Sequence, residues 1–307
     1  MRALAWQAYT VHSTSMKSKR EPSTDLPQRV QELSKRALAK AAAADAARQT
    51  QLPLWERSQR GMPNTFARSA LFNCNKASGK RQDYKNYPVA SLAGAEITYT
   101  GEELRQDDAD VFLEICHLAR EAPLGDRVEF TAYSMLKALG WGRSAKAYTR
   151  LSTSIDRLKA NMTKVKFADG RKGFGGSLVR KFGWSDEEEG GEGGNRRWVV
   201  YMEPEIVALF AEDDYTRLAR EQRAQLSGDL AKWLHSYYHT HAQPFPHKVA
   251  FIHEKCGSQT KQLYHFRPVL KKALAELVEV GFLESWRIDD ATDTVYVTRA
   301  AKQLRAA

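Results

Sequence analysis

Thr131-Ala-Tyr-Ser-Met-Leu-Lys-Ala-Leu-Gly-Trp-Gly-Arg-Ser-Ala-Lys-Ala-Tyr-Thr-Arg-Leu-Ser-Thr-Ser-Ile-Asp-Arg-Leu-Lys-Ala160 is the stretch whose reading decides the fold. Thr131 can cap a helix that runs through Leu139, and Gly140 and Gly142, flanking Trp141, end it. A second helix is expected from about Ser144 to Ala160. On a cylinder turning ~100° per residue, Tyr148, Leu151, Ile155, Leu158 and Met162 share one stripe. Arg143, Lys146, Arg150 and Arg157, with Thr153 among them, share the opposite stripe. One face fits a core. The other fits a major groove, where arginine grips guanine bidentately and lysine neutralises phosphate. An ordinary surface helix with a solvated charged face shows the same pattern. Its place as the second helix of a helix-turn-helix favours the DNA reading.

Outward from this stretch the order is regular. Ala70–Phe72 and Glu96–Tyr99 have strand character, Ala109–Arg120 is an amphipathic helix and Arg127–Phe130 a short strand. Strand-like segments follow at Thr163–Phe167, Ser177–Phe182 and Arg197–Met202. Helix, short turn, helix and hairpin is the order of a winged helix-turn-helix. The C-terminal part repeats it, with helices at Gly228–His239, Lys248–Cys256 and Tyr264–Val280 and a hairpin of Trp286–Ile288 with Thr294–Thr298. The expected fold class is α+β: two tandem winged helix-turn-helix domains preceded by a flexible, partly helical N-terminal arm. The expected divisions are 1–60 for the arm, 61–212 and 213–307 for the domains, with an exposed connection at Ala211–Ser227.

The last helix has the same two faces. Leu263, Phe266, Leu270, Leu274 and Leu277 share one side, while Lys261, Tyr264, His265, Lys271 and Lys272 project from the other, with Arg267 at the margin. Pro268 costs ~3 kcal/mol in a helix interior, so regular helix is expected to begin near Arg267 or to kink there.

The 307 residues carry a formal net charge of +10, which favours a polyanionic partner. Cys74, Cys116 and Cys256 have no CxxC spacing, so neither a disulfide framework nor a cysteine zinc site is indicated. No run approaches the ~18 apolar residues of a membrane span, and a cytoplasmic location is expected. His235, His239 and His241 read as packing or surface histidines, and Gly170–Gly176 is not a phosphate-cradling GxxxxGK[ST] loop. Asp186–Glu189 and Glu192 read as a loop held away from DNA. No catalytic residue, metal or cofactor is expected. A nicking enzyme would have to use Tyr237 or Tyr238 beside those histidines, and a transcriptional repressor would use the same two cationic helices.

Residues before Gln51 have a different texture. Ser13 to Gln28 reads as a basic arm, and about Leu26 to Arg48 as an Ala-rich spacer helix. Gln51-Leu-Pro-Leu-Trp55 follows, apolar within a polar segment. It is similar to the bacterial sliding-clamp-binding motif Gln-Leu-x-Leu-Phe. That likeness implies that Gln51, Leu52, Leu54 and Trp55 engage the clamp; packing on the chain's own first domain is the competing reading.

Further segments carry a wider resemblance: Met62-Pro-Asn-Thr-Phe-Ala-Arg-Ser-Ala-Leu-Phe72, Ile97-Thr-Tyr-Thr-Gly-Glu-Glu-Leu-Arg-Gln-Asp-Asp108, Leu139-Gly-Trp141, Ile206–Phe210 and Asp214-Tyr-Thr216. With the clamp peptide, they make the chain resemble the TrfA family of plasmid replication initiators from about Gln51 to the C-terminus. Tyr264-His-Phe-Arg-Pro-Val-Leu-Lys-Lys-Ala-Leu274 also looks like the Tyr-x-x-Phe-Arg-x-x-Val-Leu pattern of iteron-binding initiators, compressed by a residue before Phe266. The resemblance implies binding of repeated origin sites (iterons), opening of AT-rich DNA, and recruitment of the host initiator, replicative helicase and sliding clamp. It implies a monomer–dimer equilibrium and permits single-stranded origin DNA as a further ligand.

Overall fold

The computed structural model describes residues 35–36, 52–92, 95–121, 127–167, 173–186, 196–210 and 214–301. The chain divides into two compact units, Met1–Ala47 and Arg48–Ala307. In the first, Lys35 and Arg36 are helical and exposed. The rest of the expected arm and Ala-rich helix, Gln51, and most of the acidic segment 186–192 lie outside the described residues. All elements below belong to the second unit, a mixed α/β fold.

Its elements in chain order begin with β1 (Gln59–Pro63), α1 (Asn64–Ala67), β2 (Asp83–Val89), β3 (Ala95–Glu102) and α2 (Gln106–Ala119). Next come β4 (Arg127–Thr131), α3 (Ala132–Leu139), α4 (Ala145–Lys159), β5 (Met162–Phe167), β6 (Gly173–Gly176), β7 (Val179–Asp186) and β8 (Arg196–Met202). Then follow α5 (Pro204–Ala208), β9 (Tyr215–Ala219), α6 (Arg220–Gln225), α7 (Asp229–His239) and β10 (His247–Lys248). Finally come α8 (Val249–Lys255), α9 (Leu263–Glu279), β11 (Leu283–Asp289) and β12 (Thr294–Arg299).

One arrangement occurs twice. In α2, β4, α3, α4, β7 and β8, the last strand lies in the middle of an antiparallel sheet ordered β4-β8-β7. In α7, β10, α8, α9, β11 and β12, the sheet is ordered β10-β12-β11, again with the last strand central. Of the strand-like segments that follow α4, Thr163–Phe167 takes no part in the hairpin, which Ser177–Phe182 and Arg197–Met202 supply. β5 joins β3 and β6 in a separate sheet ordered β2-β3-β5-β6, and β7 pairs with β8. Alternation marks both segments as strands, but partner choice depends on which sheet edge the chain reaches. Ala70–Phe72 forms no strand; only isolated bridges flank it, at Ser69 and Asn73.

Among the described residues there are two hydrophobic cores. The first gathers Leu52 and Trp55 with Phe66, Phe72, Phe112, Ile155, Phe210, Tyr215 and Leu218, and the second begins at Leu226 and runs through α7 and α9 to Val295. Tyr215 and Leu218, expected beyond a 212/213 boundary, therefore pack in the first core. The reason is β9, which pairs antiparallel with β1, Gln59 opposite Ala219 and Pro63 opposite Tyr215.

The expected exposed connection is a polar seam. Arg223, 4% exposed, donates to Asp110 Oδ1 (2.7 Å), Gln106 Oε1 (2.9 Å), Ser236 Oγ (3.0 Å) and Lys232 O (2.9 Å). Burial would raise the Asp110 carboxyl, but Arg223 and Lys232 outweigh it and hold the group below its ordinary value. Trp233 Nε1 donates to Ser69 O (2.9 Å) and Arg68 Nε to Thr240 Oγ1 (2.9 Å) across the same seam.

Candidate nucleic-acid interface

Local chemistry sets the helix pair α3 and α4. Thr131 Oγ1 accepts from the Ser134 N–H (3.1 Å), and Gly140 closes α3 with φ +68°, a left-handed conformation that glycine adopts without a Cβ penalty. Ser144 Oγ accepts from the Ala147 N–H (3.3 Å) and opens α4. Leu151, Ile155 and Leu158 are buried, and Tyr148 is half-buried beside them. Met162, expected on the same stripe, is 43% exposed because it begins β5 instead of extending the helix.

The outer face keeps most of the expected cations. Lys146 is exposed. Arg143 is exposed, donates to Tyr133 Oη (2.9 Å), and lies over that ring at 4.5 Å. Arg150 lies over the Trp141 ring at 3.8 Å, with Asp107 at 3.5 Å from Nε. Both guanidinium groups are thus held by an aromatic side chain. Thr153 is half-buried and donates to Thr149 O (2.8 Å).

Arg157 does not belong to this face. It is 7% exposed and donates to Asp108 Oδ1 from Nη2 (2.8 Å) and Nε (3.0 Å). The stripe turns inward at its last member because α2 presents a carboxylate there, and helical periodicity alone carries no record of that partner. Burial and the neighbouring Asp107 push the Asp108 carboxyl up despite Arg157 and Arg81.

The second cationic helix is α9. Phe266, Leu270, Leu274 and Leu277 are buried and Leu263 is half-buried, as the stripe predicts. Lys261, His265, Lys271 and Lys272 are exposed, and Tyr264 is 74% exposed. The helix begins at Leu263, with Pro268 inside it, rather than near Arg267. Pro268 is in the second turn and on an exposed face, so the missing N–H leaves one carbonyl within reach of water. Arg267 is half-buried and forms a two-pronged pair with Asp293, Nε to Oδ1 and Nη2 to Oδ2 both at 2.8 Å. Asp293, in the β11–β12 turn with φ +52°, was not singled out by sequence reasoning, and no local pattern marks it. The same is true of Trp141 and Asp107 as anchors of Arg150.

The clamp-like peptide is buried at Leu52 and Trp55. Leu52 is 2% and Trp55 6% exposed, while Leu54 is 72% exposed. The Trp55 ring lies against Phe210 and Tyr215, with centroids at 5.9 and 5.8 Å, and its Nε1–H donates to His117 Nδ1 (3.1 Å). The expectation that these apolar side chains await a partner is corrected for Leu52 and Trp55: the first core already covers them.

His235 is buried, its ring 4.3 Å from His239 and 4.8 Å from Phe282. Among the described residues, no three metal-ligating side chains are grouped to hold an ion, and no helix is long and apolar enough to cross a membrane.

The family model described as TrfA protein matches residues 18–299. The chain belongs to the TrfA family. This TrfA-family chain is 32% identical over 241 residues to the plasmid replication initiator protein TrfA of Escherichia coli. That stretch covers 77% of the chain and 61% of the relative, so less than two thirds of the relative's length is spanned. Two crystal structures of RctB domains 2 and 3 share the TrfA-family fold seen here. One, a selenomethionine derivative, has a TM-score of 0.57 at 16% identity, covering 78% of this chain and 99% of that one. The other has a TM-score of 0.53 at 15% identity, covering 75% and 95%. At such identities the likeness is one of fold alone.

Proposed function

We propose that the chain is a plasmid replication initiator that binds repeated duplex sequences at an origin through two winged helix-turn-helix domains in tandem. The first would run from Leu52 to about Leu218 and the second from about Leu226, following the two cores. The observation that carries the reading is the pair α4 and α9. Each backs an exposed cationic face with a buried apolar stripe, and each is the third helix of the same helix–strand–helix–helix–strand–strand arrangement.

On this reading α4 and α9 enter successive major grooves about one helical turn apart. Lys146, Arg150, Arg267 and Lys271 supply contacts, joined by Arg143, Thr153, Lys261, Tyr264, His265 and Lys272. The role would include opening of the adjacent AT-rich segment and delivery of the host helicase. Clamp engagement through Gln51–Trp55 would require Trp55 to exchange its own pocket for that of the clamp. Gel-shift titration of an origin fragment tests the DNA reading. Replacing Lys146, Arg150, Arg267 and Lys271 together by alanine should abolish selective binding, and unchanged affinity would refute it.

A further inference from the structure

The loop Lys76-Ala-Ser-Gly-Lys80 is fixed from two sides. Asn75 Nδ2 donates to Gly257 O (3.0 Å), and Asn75 Oδ1 accepts from the Gln259 N–H (3.1 Å). Both partners sit in the turn that leads through Lys261 into α9. At the other end, Arg81 donates to Asp107 Oδ1 (2.8 Å) and Asp108 Oδ2 (2.7 Å). Those carboxylates face Arg150 and Arg157 of α4, at 3.5 and 2.8 Å. The loop therefore spans from the foot of one cationic helix to the flank of the other.

Its backbone is anchored from beneath. Arg105, 1% exposed, donates to Gly79 O (2.9 Å), Lys80 O (2.7 Å) and Lys76 O, and its charge is met by Glu103 Oε2 (2.6 Å). With the carbonyls turned inward on one guanidinium, Lys76, Ser78 and Lys80 stand exposed. Among the described residues neither lysine enters an ion pair, in contrast to Arg81, Arg105 and Arg157 nearby. A solvated pair of lysines on a mobile loop would carry little meaning. Here the backbone is already ordered, so a ligand need not supply that ordering.

We infer that Lys76 and Lys80 make a third DNA contact, neutralising phosphates on either side of the minor groove between the major-groove segments read by α4 and α9. The inference rests on the duplex-binding reading above. Two helices in successive major grooves on one face of B-DNA leave a minor groove facing the protein between them. The loop is tied at one end to the turn before α9 and at the other, through Asp107, to Arg150 of α4. Lysine suits that place, because an ammonium neutralises phosphate as a point charge without demanding a base pattern.

The test uses the full chain with Lys76→Gln and Lys80→Gln combined. The probes are a random-sequence duplex of two helical turns or more, and a duplex bearing the direct repeats of the plasmid that encodes the chain. The slope of log K against log salt should become shallower by about 1.8, or ~0.9 per lost phosphate contact, on both duplexes. The preference for repeats should persist. A slope equal to that of the unmodified chain overturns the inference while leaving the duplex-binding reading intact. So does a loss of slope from Lys85→Gln, on the exposed side of β2, that equals the loss per lysine of the double variant, since that would be a general charge effect. If the unmodified chain shows no salt-dependent binding to either duplex, both readings fall. Thermal unfolding of the double variant should match the unmodified chain, because both side chains lie outside the packed interior.

Discussion

Gln259 Nε2 donates to Glu103 Oε1 at 3.0 Å, tying the turn before the second cationic helix to a carboxylate that is 0% exposed in the first half of the molecule. The same carboxylate accepts from Asn73 Nδ2 (2.8 Å), Asn75 Nδ2 (2.8 Å) and Arg105 Nη2 (2.6 Å). Burial alone would raise the Glu103 carboxyl, but the bonds from Arg105 and Asn75 hold it below its ordinary value. Glu103→Ala would leave Arg105 buried without its counter-charge. A loss of about 3–5 kcal/mol in urea unfolding is expected. Gln259→Ala should change stability far less, yet speed amide exchange in the turn 257–262; unaltered exchange would show that the tie to Glu103 does not hold the turn.

Arg157 and Lys146 should separate cleanly. Arg157→Ala removes one of the two buried cations on Asp108, which keeps Arg81, and is expected to destabilise by about 1.5–3 kcal/mol. Lys146→Ala, at an exposed site, should leave stability within about 0.5 kcal/mol and weaken DNA binding. Paired denaturation and gel-shift measurements check both. A Lys146 variant with undiminished affinity would remove that residue from the interface.

Trp55→Ala should cost about 3–5 kcal/mol, the usual loss for a buried tryptophan. Gly61→Ala should destabilise for a complementary reason, since a Cβ there would lie 2.7 Å from a Trp55 ring carbon. Leu54→Ala should leave the fold intact, because Leu54 is 72% exposed. If the clamp is a partner, Leu54→Ala should reduce its retention in a pull-down without changing the unfolding midpoint. Full retention would argue against clamp docking through this peptide.

Acidification should weaken the first core through His117. Burial, with Arg60 and Arg120 beside it, pushes that imidazole from its ordinary 6.5 down to about 3. The unfolded chain binds the proton first, so stability is complete above 6.5 and is lost as pH falls from there toward 3. One proton gives a slope of at most about 1.4 kcal/mol per pH unit. Burial depresses His235 in the same direction. The urea midpoint should fall on acidification, and His117→Gln should flatten that dependence; an unchanged slope would mean His117 is not its source.

The sequence by itself determined the local grammar. Thr131, Gly140 and Ser144 mark the ends of α3 and α4 through bonds and dihedral preferences that reach only a few residues. The apolar stripe of α9 was equally legible, because helical periodicity needs no knowledge of the neighbour. Tertiary structure alone decided what each face meets. It buried Arg157 against Asp108, 49 residues away, set Trp55 against His117, 62 residues away, and placed β9 beside β1 instead of in the second half. It also brought Asn75 to Gly257 and Gln259, giving the loop Lys76–Lys80 its place between the two helices. The physical reason is range. Caps, turns and stripes are properties of neighbouring residues. Burial of a charge or exposure of an indole depends on desolvation and on partners that only the folded chain brings together.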